Sequence, residues 1–235
     1  MSGIHQMMLG SGASFIFNDV VAADMYDYNI RTRAVAAGWN GIDPLTANIT
    51  VNAGVYIGQN AASYAFDTDA GFPTGSTLAA IINGYILGKG GVGAGGYSDG
   101  GNGSAGGTAI KARFPISMTN NGVLGGGGGG GGEGSYGGGG GGGGQGYVGG
   151  PAGSAGTDPG AGNGTNGTRT AAGGGGVGGQ DSGDGGSGGA LGQPGQDGLF
   201  GGYGAPGLGG AAGKCVEGNS NVTWLATGTR YGALV

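Results

Sequence analysis

From Gly183 to Gly213 the chain reads GDGGSGGALGQPGQDGLFGGYGAPGLGGAAG, with glycine at every third position eleven times in succession. A strict period of three fits neither an α-helix nor a strand, whose side-chain periods are 3.6 and 2.0. It matches the extended left-handed helix of three residues per turn, in which one edge would carry only hydrogen atoms. Such a helix makes no hydrogen bonds of its own, so every buried N–H and C=O must pair with another chain segment. Two arrangements supply those partners: three chains wound as collagen, or several segments of one chain packed side by side as a polyglycine II lattice, with Cα–H···O contacts adding a little.

Collagen implies roughly 15–20% proline or hydroxyproline, whereas this run contains only Pro194 and Pro206. The glycine register also shifts between Gly149 and Gly183, at TDPGAGN and TRTAAGG. A triple helix tolerates interruption badly, while turns between short helices require it. A straight helix through the whole run would be about 95 Å long at about 3.1 Å per residue, against a radius of gyration of about 18 Å for a compact domain of this length. A folded-back lattice is the expectation. Nine further glycines lie at period three from Gly125 to Gly149, in a second register. The homoglycine runs within that stretch satisfy any period and weaken the count.

With 72 glycines in 235 residues, a fold must rest on backbone hydrogen bonding and close approach more than on apolar area. Charged residues make up 9% and the net charge is -5, so the chain lacks the high net charge of a disordered sequence. Its eight lysines and arginines form no Arg-Gly-Gly cluster, which excludes nucleic acid as a partner. The start, MSGIHQMMLGSGASFIF, has no basic region before its apolar residues, and no apolar run reaches the roughly 18 residues of a membrane span. Synthesis in the cytoplasm as a soluble chain is expected.

The glycine-dominated middle is framed by ordinary sequence. DYNIRTRAVAAGW predicts one short helix from Asp27 through Ala37, stopped by Gly38. ANITVNAGVYIG and TLAAIINGYILG predict pairs of short strands, the second turned at Asn83-Gly84 as a type I′ hairpin that uses positive φ. Asn83-Gly84-Tyr85-Ile86-Leu87-Gly88 is echoed by Asn121-Gly122-Val123-Leu124-Gly125, and more loosely by Asn219-Ser220-Asn221-Val222-Thr223-Trp224. The expected fold is mostly β and irregular: a short-strand framework over about 44–87, 109–124 and 215–235, with polyglycine II helices over about 88–108 and 125–214. Residues 1–43, with the helix, form a separate N-terminal attachment segment.

No motif argues for an enzyme. Several G-x-G-x-x-G matches arise by chance at this glycine content, and none follows a strand and opens a helix. His5 and Cys215 are each the only residue of their kind and lie far apart in sequence, so no zinc site, triad or intrachain disulfide is supported. Asp181, Asp184 and Asp197 do not recur at the nine-residue period of calcium-binding β-rolls. Glu133 and Glu217 are isolated, with no carboxylate pair spaced for acid/base work. No metal and no cofactor is expected.

What remains is a set of large residues at breaks in the glycine pattern: Tyr97, Asp99, Glu133, Tyr136, Tyr147, Arg169, Phe200 and Tyr203. Side chains at turns between lattice helices would project outward, where tyrosine offers contact area at low entropic cost. Packing against the lattice or the framework is the alternative for each.

The alternation of strands and glycine blocks in INGYILGKGGVGAGG, MTNNGVLGGGGGGGG and GNSNVTWLATGTRYG resembles the glycine-rich receptor-binding adhesins at the tips of bacteriophage long tail fibres, over roughly Ile49 to Val235. The resemblance implies a polyglycine II sandwich whose distal loops bind an outer-membrane protein or surface glycan of the host. Residues 1–43 depart from the tryptophan-rich attachment segment associated with such adhesins. The expected function is host attachment by a non-enzymatic virion tail protein, docked to other tail or fibre proteins through its N-terminal segment. The alternative is a purely structural glycine-rich virion protein without receptor contact, with a collagen-like homotrimer as its physical variant.

Overall fold

The computed structural model describes residues 14–61, 63–96 and 100–235. Its framework is a parallel β-solenoid of three faces, in which each circuit of the chain lays one strand on each face. The first circuit contributes β1 (Phe15–Val21), β2 (Met25–Tyr26) and β3 (Tyr28–Asn29), and the second β4 (Leu45–Val51), β5 (Tyr56–Gly58) and β6 (Tyr64–Asp67). The third contributes β7 (Thr77–Ile82), β8 (Tyr85–Leu87) and β9 (Thr108–Lys111), and the fourth β10 (Ile116–Asn120), β11 (Val123–Gly125) and β12 (Val216–Glu217). A last partial circuit adds β13 (Val222–Ala226) and β14 (Thr229–Tyr231). The sheets run β1-β4-β7-β10-β13, β14-β11-β8-β5-β2 and β12-β9-β6-β3, and every strand pair is parallel.

Alternation along each strand sends one apolar set inward, and the register then stacks those residues by size. Phe17 lies beside Ala47, which lies beside Leu78 and then Ile116; the next inward row runs Ile49, Ala80, Met118. Alanine at Ala47 and Ala80 makes room for the larger side chains on the neighbouring circuits. Asp19 breaks the apolar set and is answered locally. Its Oδ2 accepts from Tyr28 Oη at 2.8 Å and from Arg33 Nε at 2.5 Å. Burial would raise its carboxyl, but those two hydrogen bonds and the Arg33 charge bring it below the ordinary range.

Four expectations change. The Asn-Gly pairs are not hairpins: β7 and β8 lie in different sheets, and Asn83-Gly84 and Asn121-Gly122 mark one corner of successive circuits. Neither glycine has φ in the left-handed region. They are required because the circuits approach closely, a Cβ on Gly84 falling 2.2 Å from the Val55 carbonyl oxygen and one on Gly122 2.0 Å from that of Gly84. Asn121 Nδ2 donates to Asn83 Oδ1 at 2.9 Å and ties the corners together. Register pairs Val123 with Thr229, so the third copy of the motif is Gly228-Thr229-Arg230-Tyr231 and not Asn219–Trp224. The helix, α1, spans Ile30–Ala36, with the Asn29 side chain accepting from Thr32 N at its start. It begins later than expected because Asp27 takes a left-handed φ of 52° and Tyr28–Asn29 join the sheet. The boundary expected at residue 43 falls inside the solenoid, since β1 pairs with β4 over its whole length.

Both glycine excursions leave from the corner between the second and third faces, after β8 and after β11. Five segments run away from the solenoid, 88–95, 126–135, 149–155, 173–179 and 193–199, and five return, 101–107, 139–145, 162–168, 183–189 and 207–213. None of their described residues lies in a helix or strand. Successive N–H groups instead point at different neighbours and come back to the same one every third residue. In segment 126–135, residues 127, 130 and 133 donate to 107, 104 and 101; residues 128, 131 and 134 donate to 145, 142 and 139; residues 129, 132 and 135 donate to 193, 196 and 199. Its carbonyls accept from 88–94, 183–189 and 207–213, so it has six neighbours. Segment 139–145 is surrounded in the same way. The homoglycine runs are therefore the interior of the bundle, where no direction has room for a side chain. The Gly183–Gly213 run is peripheral: glycines such as Gly183, Gly186, Gly189, Gly207, Gly210 and Gly213 face inward and are buried, whereas Gly202 and Gly204 lie exposed in a turn.

Candidate functional site

Because segments alternate in direction, the turns between them fall at two ends. One end, the tip, gathers the turns at 135–138, 156–161, 179–183 and 200–206; the other, the base, holds the turns near 146–148, 169–172 and 190–192 against the solenoid.

At the tip, Tyr136 (47% exposed), Phe200 (69%) and Tyr203 (65%) are exposed aromatic side chains, while Val177, Leu199 and Leu208 are exposed aliphatic ones of the bundle segments. The Tyr136 and Tyr203 rings lie 5.5 Å apart, tilted at 54°. Tyr136 takes a left-handed φ of 54°, which swings its side chain off the end of the buried segment. A cavity of about 330 Å³ opens beside it, lined by Tyr136, Thr157, Asp158 and Pro159. The turns hold each other in place: Asp158 N donates to Gly137 O, Asp181 N to Asp158 Oδ2, and Gly201 N to Ser135 Oγ.

The other expected contact residues sit elsewhere. Glu133 is fully buried within the bundle, with Oε2 accepting from Gly101 N at 2.9 Å. Tyr147 is buried at the base, its ring lying on Gly58, where a Cβ would fall 2.0 Å from the ring. Arg169, also at the base, stacks its guanidinium 4.4 Å from the Tyr56 ring centroid and 4.2 Å from that of Tyr147. Asp24 completes this cluster, accepting from Tyr147 Oη at 3.2 Å, Arg169 Nη1 at 3.3 Å and Tyr56 N at 2.9 Å. Burial, and then the Asp24 charge, push the Tyr147 phenol up. The cluster clamps the bundle to the first two circuits. Tyr97 and Asp99 lie outside the described residues, as does His5.

Thr157, Asp158 and Pro159 are tip residues that sequence reasoning used only as a turn signal. Counting turns would have found them: the first turn after an outgoing segment is at the tip, the second at the base, and so on. Cys215 is buried, and burial pushes its thiol up to about 11, away from nucleophilic use. Among the described residues no cluster of His, Cys, Asp and Glu is placed to hold a metal.

The family model described as phage tail fibre adhesin Gp38 matches residues 17–235. The chain belongs to this family. The adhesin also resembles a solved structure, the crystal structure of the gp37-gp38 adhesin tip complex of the bacteriophage S16 long tail fiber, with a TM-score of 0.58 and 25% identity over 94% of this chain and 82% of that one. No curated protein sequence matches it. This adhesin is thus a receptor-binding protein of the phage tail fibre, mostly β with short parallel strands.

For the base cluster of this adhesin, Arg169→Ala is expected to remove a stacked cation worth about 1–2 kcal/mol, and so to lower Tm by about 2–8 °C for a chain of this size. Adsorption of particles carrying it should be unchanged at a temperature where the variant is folded. Loss of adsorption at unchanged Tm would instead make Arg169 a receptor contact.

Proposed function

We propose that the glycine segments form a polyglycine II bundle that holds the tip turns rigidly, and that Tyr136, Phe200 and Tyr203 form the surface that meets the receptor on the host cell. The observation that carries this reading is the grouping of exposed aromatic side chains at the end of the bundle remote from the solenoid. Three-residue hydrogen-bond recurrence and six-neighbour packing support the polyglycine II assignment. A rigid support removes the ordering cost that flexible loops incur on binding.

The first circuit leaves β1, β2 and β3 as edge strands of the three sheets. Among the described residues these edges are unpaired, and so are templates for another chain; in this reading they dock the adhesin to another tail fibre protein, as in the gp37-gp38 adhesin tip complex of the structural neighbour. The protein is then made in the host cytoplasm and carried on the virion tail, and it acts by binding, without catalysis.

The test replaces Tyr136, Phe200 and Tyr203 together by alanine in assembled particles. Adsorption to host cells should fall at least about tenfold, the effect of losing about 1.4 kcal/mol or more of contact, with the adhesin still present on the particle. Unchanged adsorption would move the contact surface away from these residues.

A further inference from the structure

The tip surface is aromatic, and its charge identifies a partner. All eight lysines and arginines of the chain belong to the solenoid or to residues beside it: Lys89 follows β8, Lys214 precedes β12, Arg169 is in a base turn, and the others lie on α1 or within or next to the strands. Among the described residues, the outer bundle and its tip carry Glu133, Asp158, Asp181, Asp184 and Asp197 and no cation. Asp181, Asp184 and Asp197 are exposed, and Asp158 is half-buried in the wall of the tip cavity. The molecule is therefore polarised along its length, with its negative end where the aromatic surface is.

We propose that the tip cavity receives a lysine or arginine side chain from a surface-exposed loop of a protein receptor. This rests on the tip being the receptor-binding end. At about 330 Å³ the cavity lies at the low end of ligand-binding volumes, which run from about 300 to 1,000 Å³. Its walls match the two needs of a cationic group on an apolar stem. The Tyr136 ring, with Tyr203 beside it, offers aromatic face for cation–π contact, and Pro159 offers apolar surface for the methylenes. The Asp158 carboxylate supplies a charge-assisted acceptor; its Oδ2 is held by Asp181 N at 3.2 Å, which fixes its direction. The neighbouring acidic groups find no competing cation on the tip and steer a positive partner toward it. A neutral glycan would use the same ring but would be indifferent to these charges.

The test is adsorption of intact particles to host cells at about 50 and about 300 mM NaCl, comparing the parent with Asp158→Asn/Asp181→Asn. Asparagine keeps the size of each side chain and an oxygen to accept from Asp181 N, and an unchanged Tm verifies the fold. Parental adsorption is expected to slow at high salt, because the Debye length shrinks below the spacing of the tip charges and the partner. The double variant should adsorb roughly tenfold more slowly at low salt, within the range of electrostatic steering, and its salt dependence should flatten. Adsorption by the double variant that matches the parent at both salt concentrations would overturn the cationic partner. The two readings fail separately: if the aromatic triple variant still loses adsorption, only the cationic assignment falls, and if it does not, the tip itself is the wrong surface.

Discussion

Gly130→Ala should leave the protein unable to fold, recovered as aggregate where the parent is soluble. Gly130 sits midway along the surrounded segment 126–135, and a Cβ there would lie 1.9 Å from the Val92 carbonyl oxygen and 2.3 Å from its carbon. Both are backbone atoms, so no side chain can rotate away. Making room means pushing segment 88–95 off the bundle. That breaks its own bonds to the centre, from Gly88 N to Gly125 O, Gly91 N to Gly128 O and Ala94 N to Gly131 O. Each buried polar group left unpaired costs about 1–3 kcal/mol. Several together reach the total stability of an ordinary domain, about 5–15 kcal/mol. The control is Leu208→Ala, at a 60% exposed position on the outer side of a peripheral segment, which should change Tm by no more than about 2 °C. A soluble Gly130→Ala protein with the parental Tm would be incompatible with the packing described for the central segment.

Phe66→Ala is the second large effect, and it probes the solenoid independently of the bundle. Phe66 is fully buried on β6, stacked on Tyr28 with ring centroids 5.1 Å apart and planes 2° from parallel, and in register with Ile110 on β9. Truncating a buried phenylalanine costs about 3–5 kcal/mol, equivalent here to a Tm lower by about 6–20 °C. The loss also frees Tyr28, whose hydroxyl helps hold Asp19 inside the first circuit. The Asp19–Arg33 pair should then be more exposed, and the first circuit should fray first. Hydrogen exchange would read this as faster exchange along β1 than along β10. Uniform protection of both strands would mean that the circuits unfold as one unit.

The period of glycine was legible because it has a single physical cause, the close approach of one edge of each segment to another segment. The homoglycine runs were harder: a period count discards them, yet residues 126–132 and 137–144 are where every direction is occupied. The strands were legible from their alternation, but their partners were not. Alternation in TLAAII reports one buried face and is the same whether the next strand folds back beside it or turns a corner into another sheet. In a parallel solenoid the partner of Ile49 is Ala80, a full circuit away, and local sequence carries no trace of it. The Asn-Gly pairs were read through the φ freedom of glycine, when the deciding contact was a carbonyl on the neighbouring circuit.

The candidate contact residues divided for a similar reason. Tyr136 and Tyr147 both interrupt glycine runs, and nothing in their immediate neighbours distinguishes a turn at the tip from a turn at the base. Direction of travel does, and it is a property of the whole path. Tyr136 ends an outgoing segment and is exposed; Tyr147 ends a returning one and is packed under Arg169.

Interlocked hydrogen bonding also decides how such a molecule can change over generations. A segment of the bundle cannot gain one triplet alone, because the added N–H and C=O groups would rise above neighbours that have nothing at that height. Growth must occur in all segments together, so the length of the bundle is effectively inherited. The turns beyond the last shared bond carry no such obligation. Residues 157–160 and 202–206 can be exchanged, lengthened or recombined while the bonds between segments below them, such as Gly153 N to Gly141 O and Gly207 N to Glu133 O, are kept, and only the ties among the turns themselves change. On the proposed reading of the tip as the receptor-binding surface, host range is the editable part of a protein whose remaining architecture is locked.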